Sequence, residues 1–221
     1  MQRMSLVAAV VLVSTAAHAQ SSPNQGRSTN QGRSTNLEIA LRGGVALPFG
    51  KATDSAGDDL SQTVKFDMPL SVDLNYRFTD EVYAGAYFSY GLSSLGDPLV
   101  AACGSGASCS AHTLRVGLGV SYHFSLRKQF DPWLGIAIGY EQAKVSASGP
   151  GGSRDATIGG IEFPLMVGVD FRPSPLFGFG PFLMLGLGEY TRVDAGSTSG
   201  SISNTALHGW FGSGVRISFT P

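Results

Sequence analysis

Three groupings of side chains in this chain could do chemistry. His123 and Ser125 flank Phe124. Residues two apart on an extended strand share a face, so the imidazole would reach the hydroxyl and activate it as a nucleophile. Carboxylates stand at Glu38, Asp67, Asp73, Asp131, Glu141, Glu162 and Asp170, and arginines at 42, 77, 115, 172 and 216, with His123 and His208 able to join them. Such a set reads as acid/base machinery of the glycosidase kind, or as a structural network of paired charges. Cys103 and Cys109 lie in a Gly/Ser-rich stretch. They would close a short disulfide, or bind a metal if His112 were joined by further ligands.

The elements that position these residues decide between the readings. In FDMPLSVDLNYRF (66–78), Phe66, Met68, Leu70, Val72, Leu74, Tyr76 and Phe78 fall on one face, and Asp67, Ser71, Asp73, Asn75 and Arg77 on the other. The same alternation recurs at 37–48, 82–92, 112–124, 130–142, near 161–172, at 179–188 and at 207–219. In every case the charged residues occupy the face opposite the apolar one. Eight strands follow, and no segment with helical period competes. The links at 49–65, 93–111, 143–160 and 192–205 are long and read as loops. Those at 79–81, 125–129 and 173–178 are short. Strict alternation of long and short links is the rhythm of an up-and-down barrel with all its long loops at one rim.

Composition indicates which face meets what. Charged residues make up only 14% of the chain, and there are 30 glycines, against about 25% charge in a typical soluble domain. Aromatics gather at the short-turn end of the apolar face: Tyr76, Phe78, Tyr122, Phe124, Phe130, Phe171, Phe179 and Phe219. A thinner set, Phe66, Phe88, Tyr90, Tyr140 and Phe163, sits towards the other end. Aromatic girdles belong at membrane–water boundaries. A lysine or arginine on the lipid side at mid-bilayer costs about 2–4 kcal/mol, so the charged face turns inward. The reading is all-β: an eight-stranded antiparallel up-and-down transmembrane β-barrel.

The amino terminus supplies an address. Arg3, the apolar run Leu6 to Val13 and the small-x-small Ala17-His18-Ala19 make a signal peptide over 1–19, cleaved after Ala19. Residues 20–36 carry NQGRST twice and read as a flexible polar leader; 37–219 is the barrel. Without Arg3 the 15 basic residues become 14, against 16 acidic, so no basic field invites nucleic acid. Export favours the disulfide at Cys103–Cys109, because only His112 is near enough to assist a metal. No metal or cofactor is expected. The GLG segments at 117–119 and 186–188 lack a following helix and would make room for Tyr83, Tyr87, Trp133 and Trp210 in the lumen.

YRFTDEVYAGAYFSYG (76–91) and the close GSGVRISF (212–219) resemble the small bacterial outer-membrane β-barrels, the OmpA/OmpX-like eight-stranded group. The resemblance spans the whole mature chain. It implies an outer-membrane protein with both termini periplasmic and long loops extracellular. Its partners would be outer-membrane lipid including lipopolysaccharide, the barrel-assembly machinery, and any extracellular ligand met by the loops. Gly214, Ile217 and Phe219 match the terminal assembly signature, while Gly212 replaces a usual polar residue and Thr220-Pro221 follow the Phe. No peptidoglycan-binding domain is expected after the barrel. The lipid A 3-O-deacylase barrels use a His-x-Ser pair, which His123-Phe124-Ser125 resembles, but here it falls at the short-turn rim and its LRK flank departs from their motif. The expectation is therefore a non-enzymatic barrel with a plugged lumen, serving envelope integrity or surface contact. A small-solute pore like the OmpW-type barrels is the alternative, and a lipid A-modifying enzyme a remote one.

Overall fold

The computed structural model describes residues 36–54, 59–103, 108–124, 129–149, 152–196 and 198–221. The expected signal peptide and cleavage after Ala19, the NQGRST repeats and Ser125 lie outside the described residues. Among the described residues nine strands form one antiparallel sheet: β1 (Leu37–Gly50), β2 (Val64–Arg77), β3 (Val82–Leu95), β4 (Ser108–His123), β5 (Phe130–Gly149), β6 (Gly152–Ser174), β7 (Phe177–Ala195), β8 (Thr198–Ser201) and β9 (Leu207–Phe219). Each strand pairs with the next from β1 to β7. β9 then pairs with both β7 and β1, which closes an eight-stranded ring, and β8 extends only β7. Phe219 is the seam residue, registered with Ile39 on one side and Phe177 on the other. Closure leaves the ring no edge, the condition for a sheet to stand in hydrocarbon with its backbone polar groups satisfied.

The ring turns its oil outward. Leu70, Phe78 and Leu118 are 63–65% exposed, whereas Glu38, Asp67, Asp131 and Asp170 are fully buried. That is the inverse of a water-soluble domain. The strands therefore span a membrane. At the short-turn rim Tyr76–Phe78, Tyr122–Phe124 and Phe171–Phe179 pair edge to face about the boundary, with ring centroids 5.0–5.5 Å apart. The β2–β3 turn forms because the Thr79 hydroxyl accepts from the backbone N–H of Glu81 and Val82, at 3.2 and 3.0 Å.

The long links depart from expectation. Of residues 143–160, read as a loop, 143–149 continue β5 and 152–160 continue β6, registered up to Gly149 against Gly152. Much of 192–205 likewise continues β7 and pairs it with β8. The physical reason is that the two faces exchange polarity. Along β5 the outward Leu134, Ile136, Ile138 and Tyr140 give way to Gln142, Lys144, Ser146 and Ser148, while inward Glu141 gives way to Ala143, Val145 and Ala147. Cross-strand register carries the exchange sideways: inward Ala111 lies opposite Val145, Ala143 opposite Ile158, and Ile158 opposite Val193. Below that level the wall is built for lipid outside. Above it the wall is built for water outside.

Two short helices also stand where only loops were expected: α1 (Leu60–Thr63) and α2 (Asp97–Cys103). Each is shorter than the window in which helical period shows. Leu60 and Val64 drop into the mouth of the barrel and join Ala46, Tyr190 and Trp210 in a small apolar core, flanked by Ile158 and Ile202. The Cys103–Cys109 disulfide ties the end of α2 to the start of β4.

Candidate functional site

The lumen holds three layers of polar side chains. The layer nearest the short turns contains Glu38, His123, Asp131, Asp170, Arg172 and Arg216, all buried. Arg216 bridges Glu38 and Asp170, and Arg172 lies 3.1 Å from Asp131 and 3.5 Å from Glu38. Trp133 donates its indole N–H to Asp170 at 3.2 Å, and the Arg216 guanidinium lies 5.1 Å from the Trp133 ring centroid. Asn75 donates to Glu38 at 3.2 Å.

The middle layer is a single forked pair. Arg42 donates from Nε and Nη2 to the two oxygens of Asp73, both at 2.7 Å. Its Nη1 points to the Met166 sulfur, 2.8 Å away. Planar guanidinium and carboxylate groups favour this two-bond geometry. On the two sides of Arg42 and Met166 lie cavities of about 30 and 40 Å³. Each has room for a water or two.

The layer nearest the long loops gathers three carboxylates around one arginine. Arg115 reaches Asp67, Glu141 and Glu162 at 3.1, 3.2 and 3.3 Å. The Glu162 contact is electrostatic, because Arg115 Nε makes no aligned hydrogen bond. Further polar side chains complete the shell. Tyr190, Trp210 and Arg115 all donate to Glu141 Oε1, His208 Nε2 lies 3.3 Å from Oε2, Tyr87 donates to Glu162 at 2.6 Å, and Ser93 and Thr113 donate to Asp67 at 2.8 Å. The Tyr190 and His208 rings stack 3.8 Å apart, and Arg115 lies over Trp210. In both outer layers carboxylates outnumber arginines, and a histidine stands against one of the carboxylates.

Glycine makes this filling possible. A Cβ on Gly139 would collide with the Tyr87 hydroxyl, and one on Gly168 would come within 2.6–2.8 Å of the Trp133 indole. Of the expected glycine runs, Gly117 makes room for Tyr87, whereas Gly186 and Gly188 lie beside Trp210 and His208. Arg77 meets Tyr83, whose ring packs on His123 of the layer nearest the short turns. It ends β2 at the short-turn rim, where the wall stops, and is half-buried with Nη2 3.4 Å from Asn36. Alternation extended two residues past Gly188 would have found Tyr190. Thr113 and Ser93 carry no charge to draw attention to them.

The His-x-Ser arrangement resolves only in part. His123 Nδ1 lies 2.8 Å from Asp131, its ring packs 4.6 Å from Tyr83, and its buried Nε2 has no hydrogen-bond partner among the described residues. A carboxylate thus orients the imidazole, but inside the lumen rather than towards lipid. Gly214, Ile217 and Phe219 lie on the closing strand, with Ile217 and Phe219 facing outward at 44% and 47% exposure.

No protein-family model and no curated protein sequence matches the chain. Solved structures do match. Neisserial surface protein A superposes with a TM-score of 0.52 at 14% identity, over 83% of this chain and 97% of that one. A major outer membrane protein from Thermus thermophilus also gives 0.52, at 11% identity, over 83% of this chain and 99% of that one. At such identities the likeness is one of fold, and that fold is the small eight-stranded outer-membrane β-barrel.

Proposed function

We propose that the chain is a non-enzymatic outer-membrane barrel whose lumen is plugged, serving envelope integrity or surface contact through its long loops. The observation that carries this is the middle layer. Arg42 and Asp73 stand between two cavities too small for a solute larger than water, and a further ion-paired layer lies beyond each. Such an interior fills the barrel rather than hollowing it. The short turns and both termini then face the periplasm and the long loops the exterior. Gly214, Ile217 and Phe219 are read by the assembly machinery, and the belt is embedded in outer-membrane lipid, lipopolysaccharide included. The rim segment around α2, tied to β4 by the Cys103–Cys109 disulfide, is offered to an extracellular ligand.

Conductance of the refolded chain in planar bilayers tests the plug. The reading expects no steady opening. A stable open level, with permeation of small solutes, would favour the pore reading instead. Loss of an acyl group from lipid A in cells expressing the chain, abolished by Ser125→Ala, would overturn the non-enzymatic assignment.

A further inference from the structure

The exchange of polarity along the wall has a second side. Above Tyr140 the strands β4 to β8 rise as a curved sheet, and residues 142–149 alone add about 25 Å of strand. Five strands at about 4.8 Å spacing span about 20 Å across. The outward surface of this wall is set by register: Ser110 lies opposite Ser146, Ser146 opposite Asp155, Ser148 opposite Ser153, Thr157 opposite Asp194, and Asp194 opposite Ser199. Serine and threonine hydroxyls share it with two ion pairs.

Its charges are used on one another. Lys144 pairs with Asp155 at 2.7 Å, and Arg192 with Asp194 on the same strand at 3.1 Å. A surface made for phosphate would leave its cations free to attract it. At the lower margin the Tyr90 and His112 rings stack with centroids 5.5 Å apart, an apolar face with a wet edge, suited to the boundary.

We propose that the outward face of this wall docks the saccharide headgroup of the glycolipid whose tails pack on the belt below. The inference rests on the reading that the long-loop rim lies outside the cell. Continuity supplies the argument. The same strands present Ile138 and Tyr140 to lipid and then, without a break, Gln142, Lys144 and Ser146. A lipid packed against the first group holds its headgroup against the second. A neutral surface rich in donors and acceptors, bordered by stacked rings, matches a polyhydroxylated sugar better than an anion.

The test uses the full chain with Ser146→Cys carrying a fluorophore, and Ser110→Cys as a second position should the first fail to fold. The labelled protein is placed in phosphatidylcholine vesicles alone, with lipid A lacking core sugar, or with lipopolysaccharide bearing its core. The proposal expects loss of quenching by aqueous iodide only with the core saccharide, and the same loss at low and high salt. Equal protection by lipid A, or protection that disappears with salt, would assign the contact to phosphate and overturn it. No protection, or protection in every vesicle, would overturn it as well. Labelling of Ser148→Cys by a membrane-impermeant maleimide in intact cells separates the two failures. If that position is unreachable from outside, the orientation has failed; if it is reached while sugar has no effect, the docking has failed.

Discussion

Removing Arg42 while leaving Asp73 asks whether the middle layer holds the barrel together. Asp73 accepts one hydrogen bond from Arg42 on each carboxylate oxygen, and both residues are less than a tenth exposed. In Arg42→Met the carboxylate stays buried without its forked partner. Breaking a buried ion pair from one side costs about 3–5 kcal/mol. That is a loss of about two to four powers of ten in the folding equilibrium. Replacing both partners, in Arg42→Met/Asp73→Leu, removes the buried charges together and is expected to be near neutral or stabilising, by analogy with pairs exchanged for apolar residues of similar volume. The coupling in a double-mutant cycle should therefore be about 3 kcal/mol or more. Urea unfolding of the refolded chain in thin lipid vesicles reads it, through the fluorescence of lumen-facing Trp133 and Trp210. A single variant within about 1 kcal/mol of the parent, or a double variant that loses the sum of the singles, would refute the reasoning.

Three further outcomes follow from the same geometry. Gly139→Ala drives a methyl into the Tyr87 hydroxyl, separating it from Glu162, and should cost about 1–3 kcal/mol in the same unfolding assay. Hydrogen bonds from Lys144 and then Ser146 hold the Asp155 carboxyl below its ordinary range. Any stability it contributes is present above the ordinary aspartate pKa and lost as pH falls through the lowered one. Lys144→Met should return the Asp155 titration, followed by NMR, towards the ordinary value. Reducing Cys103–Cys109 releases a short loop worth about 2 kcal/mol at most. Limited proteolysis should then cut between 97 and 109 while the barrel stays intact.

The lumen was legible in the sequence because a strand in lipid alternates without exception. Parity put Glu38, Asp67, Arg115, Asp170 and Arg216 on one face, low charge and rim aromatics turned that face inward, and the structure buries each of them. Parity failed where the solvent changed. From Gln142 upward on β5 the outward residues become polar and the inward ones apolar, so a pattern anchored on an oily outer face looks lost there and reads as loop. Alanine, glycine and serine on both faces deepen the impression. α1 and α2 were hidden for a different reason. One turn or two of helix offers no period, and Leu60 is buried because Trp210 and Tyr190 await it across the mouth. Pairings inside the lumen were also out of reach. Parity says that Arg115 faces inward, but only the curvature of the ring brings Asp67, Glu141 and Glu162 to it together.

Depth-dependent quenching tests the central claim, that the apolar face meets lipid up to Tyr140 and water beyond it. A probe at Ile138→Cys and another at Ser146→Cys sit on the same outward face of β5. With the chain in vesicles, the first should be quenched by nitroxide on the lipid tails and spared by aqueous iodide, and the second the reverse. Iodide quenching at both positions, with none from the tail nitroxide, would mean that the oily face does not meet a bilayer, and would contradict the account.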